Sequence, residues 1–215
     1  MKKIVIISPH PDDDVIGMGG TIAKFKSENY FITCLYITQG CHSPSNVKIE
    51  PNHLAKVREK EAKKSALILG IDQTIFLRFK DIKENNQAQK VHKELEFHLS
   101  KLHPEEIYLP HPQEQHLTHK IITELSLNIA KSYLNYNASI FGYEVWTPII
   151  NPTMFMDITS FVELKREAIL AHKSQIEEKS YDEGILGLNR YRAVFLHINK
   201  INKERYIEVF ERISI

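Results

Sequence analysis

The chain has 215 residues, the length of one globular domain or at most two small ones. Its 28 Lys and Arg residues balance 27 Asp and Glu residues, so no basic surface for nucleic acid is expected. A composition of 42% hydrophobic and 26% charged residues excludes the disordered and fibrous classes of protein. Eleven histidines stand out against two cysteines, and histidine is the commonest metal ligand in proteins.

The cysteines and the N-terminus bear on where the protein resides. Cys34 and Cys41 form no CxxC motif, and two cysteines in a chain of this length do not make a disulfide scaffold. The apolar stretch from Ile4 to Ile7 is too short for a signal peptide. No window approaches the roughly 18 apolar residues needed to cross a bilayer. We therefore expect a cytoplasmic protein without an integral membrane segment.

Strands and helices are predicted to alternate along the first two thirds of the chain. Strands are predicted at 4–7, 31–38, 74–79, 106–109 and 139–145, and helices at 19–28, 53–69, 87–102 and 119–133. The first strand is continuously apolar and β-branched, which is typical of a parallel strand buried on both faces. The alternation predicts an α/β fold, a Rossmann-like three-layer sandwich with a mainly parallel sheet and helices on both faces.

The pattern changes beyond Asp157. A helix is predicted at 161–172, then a loop-rich stretch to residue 189 and a strand at 206–210. No linker composition and no internal repeat interrupts the chain. We therefore expect a single domain over 1–215, with a C-terminal extension from about residue 157 packed on it.

The side chains that could bind a metal or take part in catalysis follow two of the predicted strands. The first strand is followed by Pro9-His10-Pro11-Asp12-Asp13-Asp14, and the fourth by residues 110–119, which contain three histidines. Ligands of doubly wound sheets bind beyond the carboxyl ends of the strands. If these two strands are neighbours, His10, Asp13 and His119 can converge as two imidazoles and one carboxylate. That is the ligand set of a catalytic zinc with an open position for water.

Two further side chains acquire roles beside such a metal. Asp12 can accept a proton from the water that the metal activates, and His116 can stabilise an oxyanion or protonate a leaving group. Spacing alone leaves a plainer interpretation open, in which Asp12 to Asp14 cap the next helix and the His-x-x-His pair is solvated.

Two other functional classes also stay open. Two histidines and one carboxylate are equally the ligands of a non-haem iron enzyme. The glycine-rich stretch at 17–21, if it precedes a helix, can cradle a phosphate or sugar in a non-catalytic binding module. Its third glycine position is occupied by Ile22, so the dinucleotide fingerprint fails.

Residues 8–14, Ser-Pro-His-Pro-Asp-Asp-Asp, resemble the [AS]-[HP]-H-P-D-D-E signature of the LmbE-like, or PIG-L, family of zinc-dependent N-deacetylases. The resemblance continues through the glycines at 17–21, the Arg-x-x-Glu motif that begins at Arg58 within the helix predicted at 53–69, and the late Ser174-Gln175. It covers roughly residues 3 to 195. The departures are Asp14 for the usual Glu, and Glu114 and Thr118 for the usual Asp, so the surroundings of the ligand histidine can differ from the family's.

The resemblance implies a reaction and a set of roles. His10, Asp13 and His119 would hold one Zn²⁺ per chain, Asp12 would be the general base and His116 the second catalytic residue. The implied reaction removes an N-acetyl group from an amino-sugar-containing substrate, a small molecule or a glycoconjugate, and releases acetate and a free amine.

Several features stay open at this level. By the resemblance Arg58 contacts a substrate hydroxyl; alternatively it is an exposed helix residue paired with Glu61. Trp146 either walls the substrate cleft or packs in the core, where a tryptophan is usually found. The polar stretch 40–52, with His42, is a candidate lid or specificity loop. Whether the protein is a homo-oligomer, and which sugar it takes, are not encoded in any motif.

Overall fold

The computed structural model describes residues 1–41, 50–83, 85–132, 138–176, 179–195 and 205–214. The strands are β1 (Lys3–Ser8), β2 (Phe31–Thr38), β3 (Gln73–Phe79), β4 (Glu106–Pro110), β5 (Ser139–Tyr143), β6 (Met154–Asp157) and β7 (Ile207–Ile213). The helices are α1 (Asp13–Ser27), α2 (Pro51–Leu69), α3 (Asn85–Leu102), α4 (Leu117–Ser132), α5 (Val162–Leu170), α6 (Lys173–Ile176) and α7 (Tyr181–Phe195), with a 3₁₀ turn at Thr159–Phe161.

One sheet of seven strands has the order β3-β2-β1-β4-β5-β7-β6. Strands β1 to β5 are parallel to one another, and β7 runs antiparallel to both β5 and β6. The neighbours β1 and β4 pair in the register Ile4 with Glu106 and Ile6 with Tyr108. This adjacency places the segments that follow β1 and β4 at the same edge of the sheet.

Two hydrophobic cores lie on the two faces of the sheet. Alternate residues of β1 divide between them: Ile4 and Ile6 face the layer that contains α1 and α5, while Val5 and Ile7 face α3 and α4. All four side chains are at most 1% exposed. The continuous apolar run of β1 is thus the consequence of helices on both faces, and the predicted α/β three-layer fold is confirmed.

The structure corrects the prediction for the first helix. Helix α1 begins at Asp13 rather than at residue 19, and the glycine stretch lies inside it, with a break at Met18 (φ −145°). Glycine has a low intrinsic helix propensity, which concealed these turns in the sequence. A Cβ on Gly17 would lie 2.3 Å from the Tyr143 ring, and one on Gly20 would lie 2.6 Å from Ile158, so tight packing against β5 and the 3₁₀ turn requires glycine here.

The C-terminal third contains more regular structure than predicted. The stretch expected to be loop-rich up to residue 189 holds α6 and most of α7, and β6 was not predicted. Strand β6 is four residues long and pairs only with β7, which lies some fifty positions later in the chain, so no local pattern announces it. The single-domain organisation stays a prediction; β7 pairs with β5 within the main sheet.

Three further expectations from the sequence concern the candidate lid, membrane-spanning helices and the two cysteines. Residues 42–49 of the candidate lid, including His42, lie outside the described part of the chain. Within the described ranges, no helix combines the length and the apolar character that a bilayer crossing requires. Cys34 and Cys41 are both buried and are not joined in a disulfide.

Candidate active site

Three donor atoms form a tight triangle at the carboxyl ends of β1 and β4. His10 Nδ1 lies 3.0 Å from Asp13 Oδ2 and 3.0 Å from His119 Nε2, and His119 Nε2 lies 3.1 Å from Asp13 Oδ2. Two ligands of a tetrahedral zinc, each about 2.0 to 2.1 Å from the ion, are separated by about 3.3 Å. The three donor atoms are therefore spaced nearly as they would be if they bound one cation together.

The surroundings of the triangle fit a metal ion. Asp13 and His119 are 1% and 0% exposed, and Asp13 Oδ1 is buried without a hydrogen-bond partner among the described residues. Burying a carboxylate in that position costs free energy unless a cation compensates its charge. The donor chemistry fits zinc and also ferrous iron, so the three ligands alone do not choose between these metals.

The pKa values of Asp13 and His119 are shifted by their neighbours. Burial acts to raise the pKa of Asp13, but the charges and hydrogen bonds of His119 and His10 outweigh it, so the pKa is lowered. Burial acts to lower the pKa of His119, but Asp13 and Glu114 outweigh it and raise the pKa to about 9. Binding of a metal by His119 would therefore be coupled to the release of a proton.

Glu114 connects the metal-site histidine to the segment after β5. Its Oε2 lies 3.7 Å from His119 Nδ1 and accepts the backbone N–H of Trp146 at 2.9 Å, while Oε1 accepts the Thr147 hydroxyl at 2.7 Å. Burial acts to raise the pKa of Glu114, but these hydrogen bonds outweigh it and lower the pKa to about 2. Glu114 is thus the carboxylate that faces His119 Nδ1, at an ion-pair distance that exceeds a hydrogen bond.

Two histidines of the segment after β4 differ in position: His116 lies beside His10 and His119, whereas His111 does not. The His116 ring centroid lies 4.5 Å from that of His119 and 5.0 Å from that of His10, and one donor atom from each of the three falls within 4.8 Å of the others. Burial, followed by repulsion from His119 and His10, lowers the pKa of His116 to about 4. His111 is buried away from this cluster, and its Nε2 contacts the Thr147 carbonyl at 2.7 Å.

Asp12 occupies the N-cap position of α1 but makes no capping hydrogen bond with its side chain. Its Oδ1 accepts instead from Arg58 Nη2 at 2.8 Å, and the carboxylate lines the same pocket as His10 and His116. The interpretation of Asp12 as a simple cap is therefore wrong.

Asp14 is a supporting residue outside the triangle. Its two oxygens accept from the Ser8 hydroxyl at 3.2 Å and the Tyr36 hydroxyl at 2.9 Å. Burial raises the pKa of Asp14 to about 7, in spite of the hydrogen bond from Tyr36. These contacts hold the first turn of α1 against β1 and β2.

Arg58 is buried at the site, with 3% of its surface exposed. Besides Asp12 it contacts the carbonyl oxygen of Gly40 at 2.8 Å through Nη1, and its Nε has no partner among the described residues. Gly40 has φ +61°, and a Cβ there would lie 2.3 Å from Arg58 Nη1, so both backbone and space demand glycine. The alternative pairing with Glu61 is wrong, because Glu61 accepts from the backbone and hydroxyl of Ser174.

The glycine stretch of α1 is not arranged as a phosphate cradle. It lies within α1 rather than before it, and the backbone N–H groups of Gly20 and Thr21 donate to Glu208 at 2.9 and 2.7 Å. A buried carboxylate thus occupies the place that a phosphate would need, which argues against the nucleotide-binding module.

A pocket of about 780 Å³ opens over the triangle, within the usual range for small-molecule sites. Its walls include residues without a sequence-based assignment: Asp81, Ile82, Gln175 and Tyr181. Asp81 follows β3, so the strand-end rule that selected residues after β1 and β4 would have selected it too. Trp146 lines this pocket with 44% of its surface exposed, so its interpretation as a core residue is wrong.

Comparisons with known proteins place the chain among deacetylases. The model of the family described as "PIG-L: GlcNAc-PI de-N-acetylase" matches residues 5–130. The diacetylchitobiose deacetylase of Thermococcus kodakarensis is 30% identical over 97% of this chain and 82% of its own. The solved N,N′-diacetylchitobiose deacetylase of Pyrococcus horikoshii, in complex with an inhibitor, aligns with a TM-score of 0.82 and 27% identity over 99% of this chain and 84% of its own.

The fold alone would not decide the reaction. The 4-carboxy-2-hydroxymuconate hydratase GalB of Pseudomonas putida also aligns with a TM-score of 0.82, at 19% identity over 100% of this chain and 97% of its own. The family match over residues 5–130, which includes the triangle of His10, Asp13 and His119, goes further than the fold and agrees with the N-deacetylase predicted from the sequence. The chain therefore belongs to the PIG-L family of de-N-acetylases.

Proposed function

We propose that the protein hydrolyses the N-acetyl group of an amino-sugar-containing substrate, releasing acetate and the free amine, with one Zn²⁺ held by His10, Asp13 and His119. The observation that carries the proposal is the triangle of donor atoms, 3.0 to 3.1 Å apart, below a pocket that also contains Asp12 and His116. When bound there, zinc would supply Lewis-acid polarisation of the acetamide carbonyl and would lower the pKa of water to about 7.

Asp12 is the general base of the proposal. Arg58 holds its Oδ1 at 2.8 Å, which fixes the orientation of the carboxylate, and Asp12 lines the pocket beside the triangle without belonging to it. A carboxylate in that position takes the proton of the attacking water as the new C–O bond forms. The buried guanidinium also excludes water from behind Asp12.

His116 faces the same pocket, with its ring next to those of His10 and His119. An N–H of its imidazole is placed to donate a hydrogen bond to the acetyl oxygen as negative charge develops there. Collapse of the tetrahedral centre breaks the C–N bond, and the proton that Asp12 took from the water passes to the departing nitrogen, either directly from Asp12 or through His116. Arg58 is proposed to orient substrate hydroxyls as well as Asp12, through the edge of its guanidinium that lines the pocket.

The sugar specificity of the two diacetylchitobiose deacetylases makes chitooligosaccharides the first substrates to test. Acetate release is measured over a panel of N-acetylated sugars with zinc-loaded and with chelated protein. We expect turnover of at least one sugar. Chelation should abolish this turnover, and added zinc should restore it. Ferrous iron with dissolved oxygen serves as a parallel arm, and oxygen consumption there would replace the hydrolase by the iron enzyme.

Two variants separate the proposed roles. Asp12→Asn should keep its zinc and lose about 10²- to 10⁴-fold in kcat, the usual contribution of a general base. His119→Ala should lose the metal itself, measured by elemental analysis of the purified protein. The matched control is His98→Ala, because His98 lies on α3 and does not line the pocket. Near-normal turnover by Asp12→Asn would remove Asp12 from the mechanism.

A further inference from the structure

The only tryptophan of the chain stands at the mouth of the pocket. Trp146 is 44% exposed, whereas Asp13, which lines the same pocket, is 1% exposed. Leaving half of an indole in water forfeits hydrophobic stabilisation that a core position would supply. A large aromatic surface exposed within a pocket is typical of a ligand contact.

The position of Trp146 relative to the metal site is fixed by a shared carboxylate. Glu114 Oε2 accepts the backbone N–H groups of Trp146 at 2.9 Å and Thr147 at 3.3 Å, and the same oxygen lies 3.7 Å from His119 Nδ1. Glu114 is fully buried, so the segment that carries the indole cannot shift without disturbing the histidine.

The indole is also braced from the side. Its ring contacts that of Tyr181 in a T-shaped arrangement, with centroids 5.3 Å apart and an angle of 62° between the planes. The Lys179 ammonium lies 5.9 Å from the Tyr181 ring centroid. Tyr181 therefore packs against the indole from one side, and both rings line the pocket.

We propose that Trp146, braced by Tyr181, is a stacking platform for a second pyranose ring, the one linked to the N-acetylated sugar. The face of a pyranose presents C–H groups, whose partial positive charge matches the negative face of an aromatic ring. The inference rests on the proposed deacetylase function, because the acetamide at the buried triangle places the first sugar at the floor. The pocket volume of about 780 Å³ exceeds that of one sugar ring, and the ring nearer the solvent then meets Trp146.

Steady-state kinetics with N-acetylglucosamine and N,N′-diacetylchitobiose test the platform. For the zinc-loaded Trp146→Leu variant we expect KM for the disaccharide to rise about tenfold, equivalent to about 1.4 kcal/mol, with kcat retained. In the same variant, KM for the monosaccharide should change less than about threefold. Trp146→Phe should recover most of the loss, since it keeps an aromatic face. The matched control is Phe155→Leu, because Phe155 is 41% exposed on β6 and does not line the pocket.

Fluorescence gives a readout that does not depend on turnover, because Trp146 is the sole indole. The zinc-loaded chain is mixed with the disaccharide, and the emission is recorded before the first turnover. We expect a saturable change in emission for wild type and Phe155→Leu, and a smaller change with the monosaccharide. An unchanged emission at saturating disaccharide, or equal KM changes for the two sugars in Trp146→Leu, overturns the platform while leaving the deacetylase intact. Absence of acetate release from every sugar overturns the proposed function instead, and the fluorescence titration still decides the platform.

Discussion

The buried ion pair between Lys165 and Glu208 is predicted to hold the broken helix α1 together. Lys165 Nζ donates to Glu208 Oε1 at 2.7 Å and to the carbonyl oxygen of Ile16 at 2.9 Å, on one side of the break at Met18. Glu208 accepts the N–H groups of Gly20 and its neighbour Thr21 on the other side. Each side of the break thus has a charged partner in place of its missing helical hydrogen bonds.

The magnitude follows from the burial of the pair. Both side chains are 0% exposed, so Lys165→Met leaves a buried carboxylate with only its amide donors and removes the partner of the Ile16 carbonyl. Loss of one member of a buried pair costs about 3–5 kcal/mol. Glu208→Gln keeps an acceptor for only one of the two amides and leaves the buried Lys165 ammonium without its counter-charge, so it should also cost about 3–5 kcal/mol. The double variant should be destabilised by less than the sum, since neither charge is then left unpaired.

Urea unfolding followed by far-UV circular dichroism measures these differences, provided that the m-value is unchanged. Lys60→Met is the matched control: Lys60 is exposed on α2, and its loss should stay within about 0.5 kcal/mol. A loss below about 1 kcal/mol for Lys165→Met, or strictly additive losses, would refute the account of the pair as the support of the break.

Three further predictions follow from single side chains. Glu114→Gln should weaken zinc affinity by about 10- to 100-fold, measured by competition with a chelator, and unaltered affinity would show that Glu114 does not orient His119. Arg58→Gln should lower kcat/KM while the zinc content stays equal to that of the wild-type protein; loss of zinc would contradict its separate position beside Asp12. His172 is 2% exposed, and burial lowers its pKa from 6.5 to about 4, so the unfolded chain takes up the proton first as the pH falls. The free energy of unfolding should therefore fall by up to about 3 kcal/mol as the pH is lowered from 6.5 to 4. In His172→Leu, the free energy of unfolding measured with urea should depend less on pH over this range.

The fold class and the metal-site triangle were within reach of the sequence. The β-branched run of β1 and the alternation of strands and helices predicted a parallel sheet, since hydrophobic periodicity is a local property of the chain. His10 and Asp13 follow one strand and His119 follows another, and parallel strands bring their carboxyl ends to one edge. Only the adjacency of β1 and β4 had to be assumed.

The remaining features of the site depend on which segments meet. Glu114 joins His119 to Trp146 across about thirty residues, and Asp12 meets Arg58 from a helix 46 positions later. The sequence offered Arg58 a substrate hydroxyl or Glu61 as its partner, and the structure pairs it with Asp12, which neither interpretation named. It offered Trp146 a core or a wall position, and the turn after β5 placed the indole at the pocket rim.

The amino-acid sequence by itself therefore determined the layered α/β architecture and the family, and it predicted three candidate metal ligands at two strand ends. The tertiary structure decided the break in α1, the helix α7 within a stretch that reads as loop, and the contacts of Glu114, Arg58 and Trp146. The physical reason is the range of the interactions. Periodicity and strand-end motifs act over a few residues, whereas the Gly20 amide finds its carboxylate acceptor 188 positions away on β7, where only packing of the whole chain can bring it.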